Sequence, residues 1–353
     1  MEQPLKYSFV IPVFNRPDEV DELLDSLTRQ SFGAFEVVVV EDGSQVPCHD
    51  VCARHVGKLD LHYFSKPNSG PGQSRNYGVE RARGEYVIIL DSDVVVPPGY
   101  LQAVDDELRR EPCEAFGGPD RAADSFTPTQ KAISYSMTSF FTTGGIRGGK
   151  KKLDKFYPRS FNMGIRRDVY QRLGGFSKMR FGEDIDFSIR IFKAGCHCRL
   201  FPGAWVYHKR RTDFRKFWRQ VFNSGIARIN LYKKYPDSLK LVHLLPMVFT
   251  LGVAFLTLLF IDGLLTSLFS EAPGAGELGR DTMALALAPL ILYSLLIFAD
   301  SARQNHSVKI GLLSVRAAFI QLMGYGCGFL QAWWRRCVRG QDEFTAYEKN
   351  FYK

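Results

Sequence analysis

Apolar residues along the chain recur in different rhythms, and each rhythm marks a region. In the N-terminal part, short continuous apolar runs alternate with stretches of helical spacing. Tyr7–Val13 reads as a strand, 35–40 and the β-branched run Tyr86–Leu90 as buried strands, and 59–64 as a weaker one. Behind Pro17, residues Val20, Leu23, Leu24 and Leu27 repeat as one face of a helix. A second helix is predicted after Asn68-Ser69-Gly70, with Pro71 near its first position, running through Arg81. A short strand is predicted at 113–118, and Glu183-Asp184 opens an amphipathic helix expected to bury Ile185, Ile189 and Phe192. Alternation of this kind implies parallel pairing and right-handed crossovers, hence an α/β, Rossmann-like domain with a mainly parallel central sheet. The first, second and fourth strands all stop at polar residues, which parallel pairing brings to one edge.

The later part changes rhythm. Residues 244–261 are uncharged and almost wholly apolar, long enough for ~27 Å of helix, and 283–299 form a second such run. A third, 317–334, is uncharged but carries Gln321, Gln331 and the series Gly324, Gly326 and Gly328. If it crosses a membrane, Arg335, Arg336 and Arg339 emerge outside, against the positive-inside tendency. It otherwise lies at the interface with Trp333 and Trp334 at head-group depth, or packs by its glycines against the other spans. The pattern divides the chain into a catalytic-type domain at 1–208, a basic amphipathic segment at 209–240, a membrane region of two or three helices at 241–340, and a tail at 341–353.

Charge sharpens this division. The formal net charge of the 353-residue chain is +9, but Lys209, Arg210, Arg211, Arg215, Lys216, Arg219, Arg228, Lys233 and Lys234 crowd immediately before the first apolar run. A basic belt beside a hydrophobic span suits anionic lipid head groups better than DNA, so membrane lipids and not nucleic acid are the expected partner. The link between the first two runs carries Glu271, Glu277, Arg280 and Asp281, while the basic belt precedes the first, which is expected to place that link outside and the N-terminal domain in the cytosol, at the cytoplasmic (inner) membrane. The seven cysteines match no common zinc spacing and read as reduced thiols. The N-terminus has no signal-peptide pattern.

Candidate chemistry sits at the polar strand ends. Tyr86–Leu90 runs straight into Asp91-Ser92-Asp93, and in open α/β sheets ligands collect beyond the carboxyl ends of strands. Two adjacent carboxylates there suit a hard divalent ion, Mg²⁺ or Mn²⁺, which also bridges phosphates; an Asp-rich turn without metal is the plainer reading. Asp42, closing the second strand, is a candidate to hydrogen-bond a base or ribose, or else a turn cap. Arg75 is a candidate to meet nucleotide or phosphate oxygens, or else a surface helix residue. Glu183 and Asp184 either complement a helix dipole or supply a general base toward a sugar hydroxyl. Residues 142–155, rich in Gly, Arg and Lys, form either a lid over an anionic donor or a surface loop.

Phe9-Val10-Ile11-Pro12-Val13-Phe14-Asn15, Val40-Glu41-Asp42-Gly43-Ser44, Asp91-Ser92-Asp93 and Gly182-Glu183-Asp184 occur in this order, and together they resemble the motifs of membrane-anchored, bacterial-type family 2 glycosyltransferases of GT-A fold. The resemblance covers roughly Tyr7 to His208. It implies a nucleotide-sugar donor, inversion at the anomeric carbon and a divalent metal. By the same resemblance Pro12, Phe14, Asp42, Arg75, Asp91 and Ser92 line the nucleotide-sugar, Asp93 binds the metal, and Asp184 is the catalytic base with Glu183 beside it. His208 falls where some relatives place a further metal ligand; a structural His closing a strand is the alternative. The Gln-x-x-Arg-Trp type motif of processive synthases is absent, since Phe217-Trp218-Arg219-Gln220 has similar residues in another order. Transfer of single sugars is therefore expected.

The expected activity is metal-dependent single displacement from a nucleotide-sugar, with a UDP-sugar the first expectation. The acceptor is expected to be a lipid-linked or membrane-associated saccharide in cell-surface polysaccharide or glycolipid assembly. A polyprenyl-phosphate acceptor is the alternative within the enzyme class. A membrane-bound nucleotide-sugar-binding module without turnover is the alternative outside it.

Overall fold

The computed structural model describes residues 5–121, 126–143, 158–209 and 211–343. In chain order these form β1 (Tyr7–Val13), α1 (Pro17–Thr28), β2 (Phe35–Asp42), α2 (His49–His55), β3 (Asp60–Lys66), α3 (Pro71–Arg81) and β4 (Tyr86–Leu90). Then come β5 (Val94–Val95), α4 (Tyr100–Arg110), β6 (Ala115–Gly117), β7 (Asp120–Arg121), α5 (Pro128–Thr138) and α6 (Phe140–Thr143). They are followed by β8 (Asn162–Arg166), α7 (Arg167–Arg172), α8 (Glu183–Lys193), β9 (Cys198–Leu200) and β10 (Val206–His208). The last helices are α9 (Phe214–Lys234), α10 (Leu245–Phe269), α11 (Ala275–Asn305) and α12 (Val308–Trp333). Residues 144–155 of the glycine-rich, basic segment lie outside the described residues.

Contacts divide the chain into two compact units, one of Met1–Asp124, Lys152–Lys209 and Glu343–Lys353, the other of Ser125–Lys151 and Arg210–Asp342. The first is built on a seven-stranded sheet of order β3-β2-β1-β4-β8-β6-β9. Strands β1 to β4 pair in parallel, with Tyr7 opposite both Phe35 and Tyr86. The mainly parallel expectation holds, and β8 is the exception: it runs antiparallel between β4 and β6. Burial on both faces explains the continuous apolar runs. Phe9, Ile11, Val37, Val39, Ile88 and Leu90 point into one core layer under α1, α2 and α4. Their alternate neighbours Val10, Val38, Val40, Val87 and Ile89 point into the other, with Val79, Val169, Phe187 and Ile191.

The buried face of α8 differs from the sequence expectation. Phe187 and Ile191, with Asp186 and Ser188, are buried, whereas Ile185, Ile189 and Phe192 are half-exposed. Polar satisfaction sets the rotation: Ser188 Oγ donates to Pro158 O at 2.6 Å, and Asp186 accepts from Ser177 and Arg190. A small second sheet of order β5-β10-β7 pairs His208 with Val94.

In the second unit α10 and α11 form a hairpin closed by a glycine contact: a Cβ added at Gly263 would lie 2.8 Å from Gly279 O. The glycine series of α12 is shared between two neighbours. A Cβ at Gly328 would meet Phe222 O of α9 at 2.0 Å, and one at Gly326 would meet Thr250 Oγ1 of α10 at 2.1 Å. Such closeness is the use of small residues between helices. Helix α5, capped by Thr127 and Gln130, packs Ala132, Ile133 and Met137 with Phe217, Val221, Ile310 and Ala317. Among the described residues three helices, α10, α11 and α12, are long and apolar enough to cross a membrane.

Candidate active site

Strands β2 and β4 end at Asp42 and Leu90, so the parallel sheet delivers Asp42, Asp91 and Asp93 to one edge. The small sheet brings in the far end of the first unit: pairing with β5 sets His208 opposite Val94, and Lys209 N donates to Asp93 O at 3.0 Å. One donor atom each from Asp91, Asp93 and His208 lies within 4.8 Å of the others, with His208 Nε2 3.3 Å from Asp93 Oδ1. The His208 ring stacks on Phe161 at 4.8 Å, and its buried Nδ1 has no hydrogen-bond partner among the described residues. Ser92 is buried between the two aspartates. Arg16 Nη1 donates to Asp93 Oδ2 at 2.8 Å.

Arg75 ties this cluster to the start of α8. Its buried guanidinium donates to Asp91 Oδ1 at 2.9 Å and to Glu183 Oε1 at 3.1 Å, and lies 5.1 Å from the centre of the Phe176 ring. Burial opposes the Arg75 charge, but the carboxylates of Asp91 and Glu183 more than offset it and raise its pKa. Burial moves the Glu183 carboxyl above its usual range; Arg75 opposes the shift and neighbouring Asp184 adds to it. Gly182, at φ 88° in the left-handed region, makes the turn that places both acids in the first helical turn. The Asp184 side chain stays partly accessible, at 21%. Its Oδ2 accepts from Arg159 Nη1 at 3.1 Å and its Oδ1 from Ile185 N at 2.8 Å.

Asp42 is held apart from that group. Its carboxylate accepts from Lys66 Nζ and from the backbone N–H groups of Ser69 and Gly70, both at 2.9 Å, which fixes the turn from β3 into α3. Pro12 is half-buried opposite Val40, while Phe14 stands 44% exposed beyond the end of β1.

A family model for glycosyl transferase family 2 matches residues 8–174. Residues 8–174 thus form a family 2 glycosyltransferase domain. The chain is 29% identical over 235 residues to the pre-mycofactocin glycosyltransferase of Mycobacterium tuberculosis (strain CDC 1551 / Oshkosh), a match covering 65% of this chain and 48% of that protein. It is 25% identical over 247 residues to "Probable glycosyltransferase YdaM" of Bacillus subtilis, covering 66% of this chain and 57% of that one. The chain thus spans about half the length of these curated relatives. Among solved structures, the mannosyltransferase PcManGT from Pyrobaculum calidifontis, in complex with GDP-Man and Mn²⁺, superposes with a TM-score of 0.56 at 16% identity, covering 95% of this chain and 89% of that one. This likeness carries the GT-A fold.

The donor set of this glycosyltransferase fits a divalent cation. Two carboxylates from the β4–β5 loop and an imidazole from β10 converge, an oxygen and nitrogen set that such ions accept, and Phe161 stacks against the imidazole. Arg16 and Arg159, which hold Asp93 and Asp184, gave no sequence signal of their own. Arg16 precedes Pro17 at the end of a parallel strand, a position that could have nominated it. Lys66, on Asp42, and Phe161, on His208, became visible only through strand pairing.

Proposed function

We propose that the chain transfers a sugar from a nucleotide-sugar to a membrane-associated saccharide acceptor, by single displacement with inversion. The convergence of Asp91, Asp93 and His208, joined through Arg75 to the Glu183–Asp184 pair, is the observation that carries this reading. Asp91, Asp93 and His208 would hold the cation, which when bound neutralises charge on the departing diphosphate.

The chain's own groups do the rest. Asp184, the more accessible acid, accepts the proton of the acceptor hydroxyl as its oxygen bonds to the anomeric carbon and the bond to the diphosphate breaks. Arg159 fixes the orientation of that carboxylate. Glu183 is a positioning residue, holding Arg75 where it also meets Asp91. Pro12, Phe14, Asp42 and Ser92 are the donor's nearest neighbours, Asp42 acting through the β3–α3 turn it stabilises. The three apolar helices support an acceptor that is itself held at the membrane, with the catalytic unit on the cytosolic side of a bacterial inner membrane.

The test is a donor screen, UDP-sugars first and GDP-sugars second, with Mn²⁺ or Mg²⁺, scored by nucleotide release and by transfer to lipid-linked saccharide or polyprenyl phosphate. Release that needs the cation and is abolished in Asp184→Asn, with donor binding retained, is expected. Donor binding without release in the wild-type chain would instead identify a binding module.

A further inference from the structure

Three helices have the length to span a bilayer, yet the fold constrains how many do so. The chain leaves the first unit after Lys209 and re-enters it at Glu343, where the Glu343 carboxylate accepts from Arg180 N at 3.1 Å. A folded unit lies on one side of a membrane, so the segment between these residues crosses an even number of times. Three crossings are excluded by that parity.

The packing within the second unit says which helix stays behind. Hydrogen-bond, ring and glycine contacts of α12 with the hairpin fall in the first turns of α10 and the C-terminal half of α11, from Tyr293 on. Phe319 meets Phe249 and Tyr293, Leu322 O accepts from Thr250 Oγ1 at 3.4 Å, and Gly326 lies on Pro246 O. Toward the other end, Ser301 and Ser314 share a hydrogen bond of 2.6 Å, and Gly311 rests on Phe298 and Ala302. These hairpin ends are neighbours of one membrane face, the face from which α10 departs and to which α11 returns. In α12's most apolar stretch 44% of residues are buried, against 11% in α10 and α11.

The partner that buries α12 is α9, along much of its length. Arg316 covers the Phe214 ring at 4.7 Å, Gly324 sits against Val221 and Trp218, and Gly225 sits against Tyr325 O and Phe329 N. The opposite side of α9 exposes Arg215, Lys216, Arg219, Lys233 and Lys234. A spanning α12 would carry these cations to hydrocarbon depth, where charges facing lipid are costly.

We propose that only α10 and α11 cross the membrane, and that α9 and α12 form an in-plane layer docked on anionic phospholipid head groups of the leaflet where Lys209 and Glu343 lie. A cleft of about 280 Å³ lined by Arg215, Trp218, Arg219 and Phe222 is the head-group contact. Two guanidinium forks there match a phosphodiester, and the aromatic rings suit the interfacial zone. In this arrangement Arg335, Arg336 and Arg339 remain on the basic side, in keeping with the positive-inside tendency.

The test uses the full chain, with one epitope after Lys353 and another between Glu271 and Gly274, in right-side-out spheroplasts and inside-out vesicles treated with protease. The link epitope is expected to be lost only in spheroplasts and the C-terminal epitope only in vesicles. Loss of both epitopes in the same preparation overturns the proposal. Depth is read in liposomes containing phosphatidylglycerol, from quenching of tryptophan emission by lipids brominated near the head group or near the chain end. Stronger quenching by the shallow label, reduced in Trp218→Phe, is expected. Stronger quenching by the deep label overturns the in-plane placement. The contact is read with the wild-type chain and Arg215→Glu/Arg219→Glu, comparing shallow quenching with and without phosphatidylglycerol. A gain on adding the anionic lipid that the double variant loses is expected, and an equal gain in both overturns the assignment of the cleft. None of these three readouts depends on turnover.

Discussion

The two ends of the parallel sheet carry almost the same side chains and do different things with them. At the N-terminal ends of the strands, Glu36, Asp60 and His62 bring one donor atom each within 4.8 Å of one another, as Asp91, Asp93 and His208 do at the opposite edge. The difference is what fills the centre. Glu36 is fully buried and accepts from Ser8 Oγ, Arg83 N and Arg83 Nε at 2.6–2.7 Å, while Arg83 Nη2 reaches Asp60 at 2.6 Å and His62 at 3.0 Å. The chain's own guanidinium lies among all three donors. At the other edge Arg16 and Arg75 take the flanks of Asp93 and Asp91, and the imidazole faces the carboxylates. A trio of donors reads as a cation site only where no internal cation already occupies it.

The largest effect separates the two ends by turnover. Asp184→Asn and Asp93→Asn are each expected to lower kcat by about 10²–10⁴, the range for removing a positioned base or its charge partner. Asp60→Asn at the other end should leave steady-state turnover within about twofold, because Asp60 contacts only exposed groups of a saturated network. Comparable losses in all three variants would erase the functional distinction.

Next in size is the cation dependence. His208→Ala should raise the Mn²⁺ concentration for half-maximal activity by about tenfold or more, since even the outer partners of metal ligands are worth 10–100-fold. His62→Ala should not move it. An unchanged Mn²⁺ titration in His208→Ala would return His208 to a structural role on Phe161.

Stability is expected to invert the ranking. Glu36→Ala removes the buried half of a charge network whose remaining partner, Arg83, is 56% exposed, so the loss falls to about 2 kcal/mol rather than the larger value for a wholly buried pair. That corresponds to an apparent Tm lower by about 4–8 °C for a unit of this size, with activity retained below the transition. Scanning calorimetry of Glu36→Ala against Asp60→Asn checks it, and equal melting of the two would show that burial does not set the difference.

Much of this architecture is written in local pattern, because strands buried on two faces and helices with one apolar stripe leave distinct periods. The presence and parallel pairing of β1 to β4, the acids at their ends and the start of α8 follow from it. What escaped reading depends on long-range pairing. His208, named beside Asp93 only through the family resemblance, reaches it through a sheet whose strands are two or three residues long, too short to show a period. The rotation of α8 is set by Asp186 and Ser188 bonding inward, against its apolar spacing. Helix α5 packs with α9 and α12, which no nearby sequence feature announces. The glycines of α12 were visible, but their division between α9 and α10 is a property of three helices together.

The smallest effect is also the most specific, because Glu36 and Glu183 should titrate with opposite sign. Burial alone would raise the Glu36 carboxyl, but hydrogen bonds from Ser8 and Arg83 win and depress it. Its ionised form therefore stabilises the fold above the unfolded value of about 4.3, and that contribution is lost as pH falls through the depressed folded value. Glu183 is raised, so the folded state holds its proton longer than the unfolded one. Stability then declines as pH rises from about 4.3 through the raised value, and the deficit persists above it. Melting curves in EDTA should show Glu36→Gln falling progressively behind the wild-type chain as pH rises from the acid end. Glu183→Gln, whatever its offset from loss of the Arg75 contact, should gain on the wild-type chain over the pH range above about 4.3. Parallel pH dependences in the two variants would mean that the ends of the sheet treat a carboxylate alike, and that the proposed catalytic edge is not electrostatically set apart.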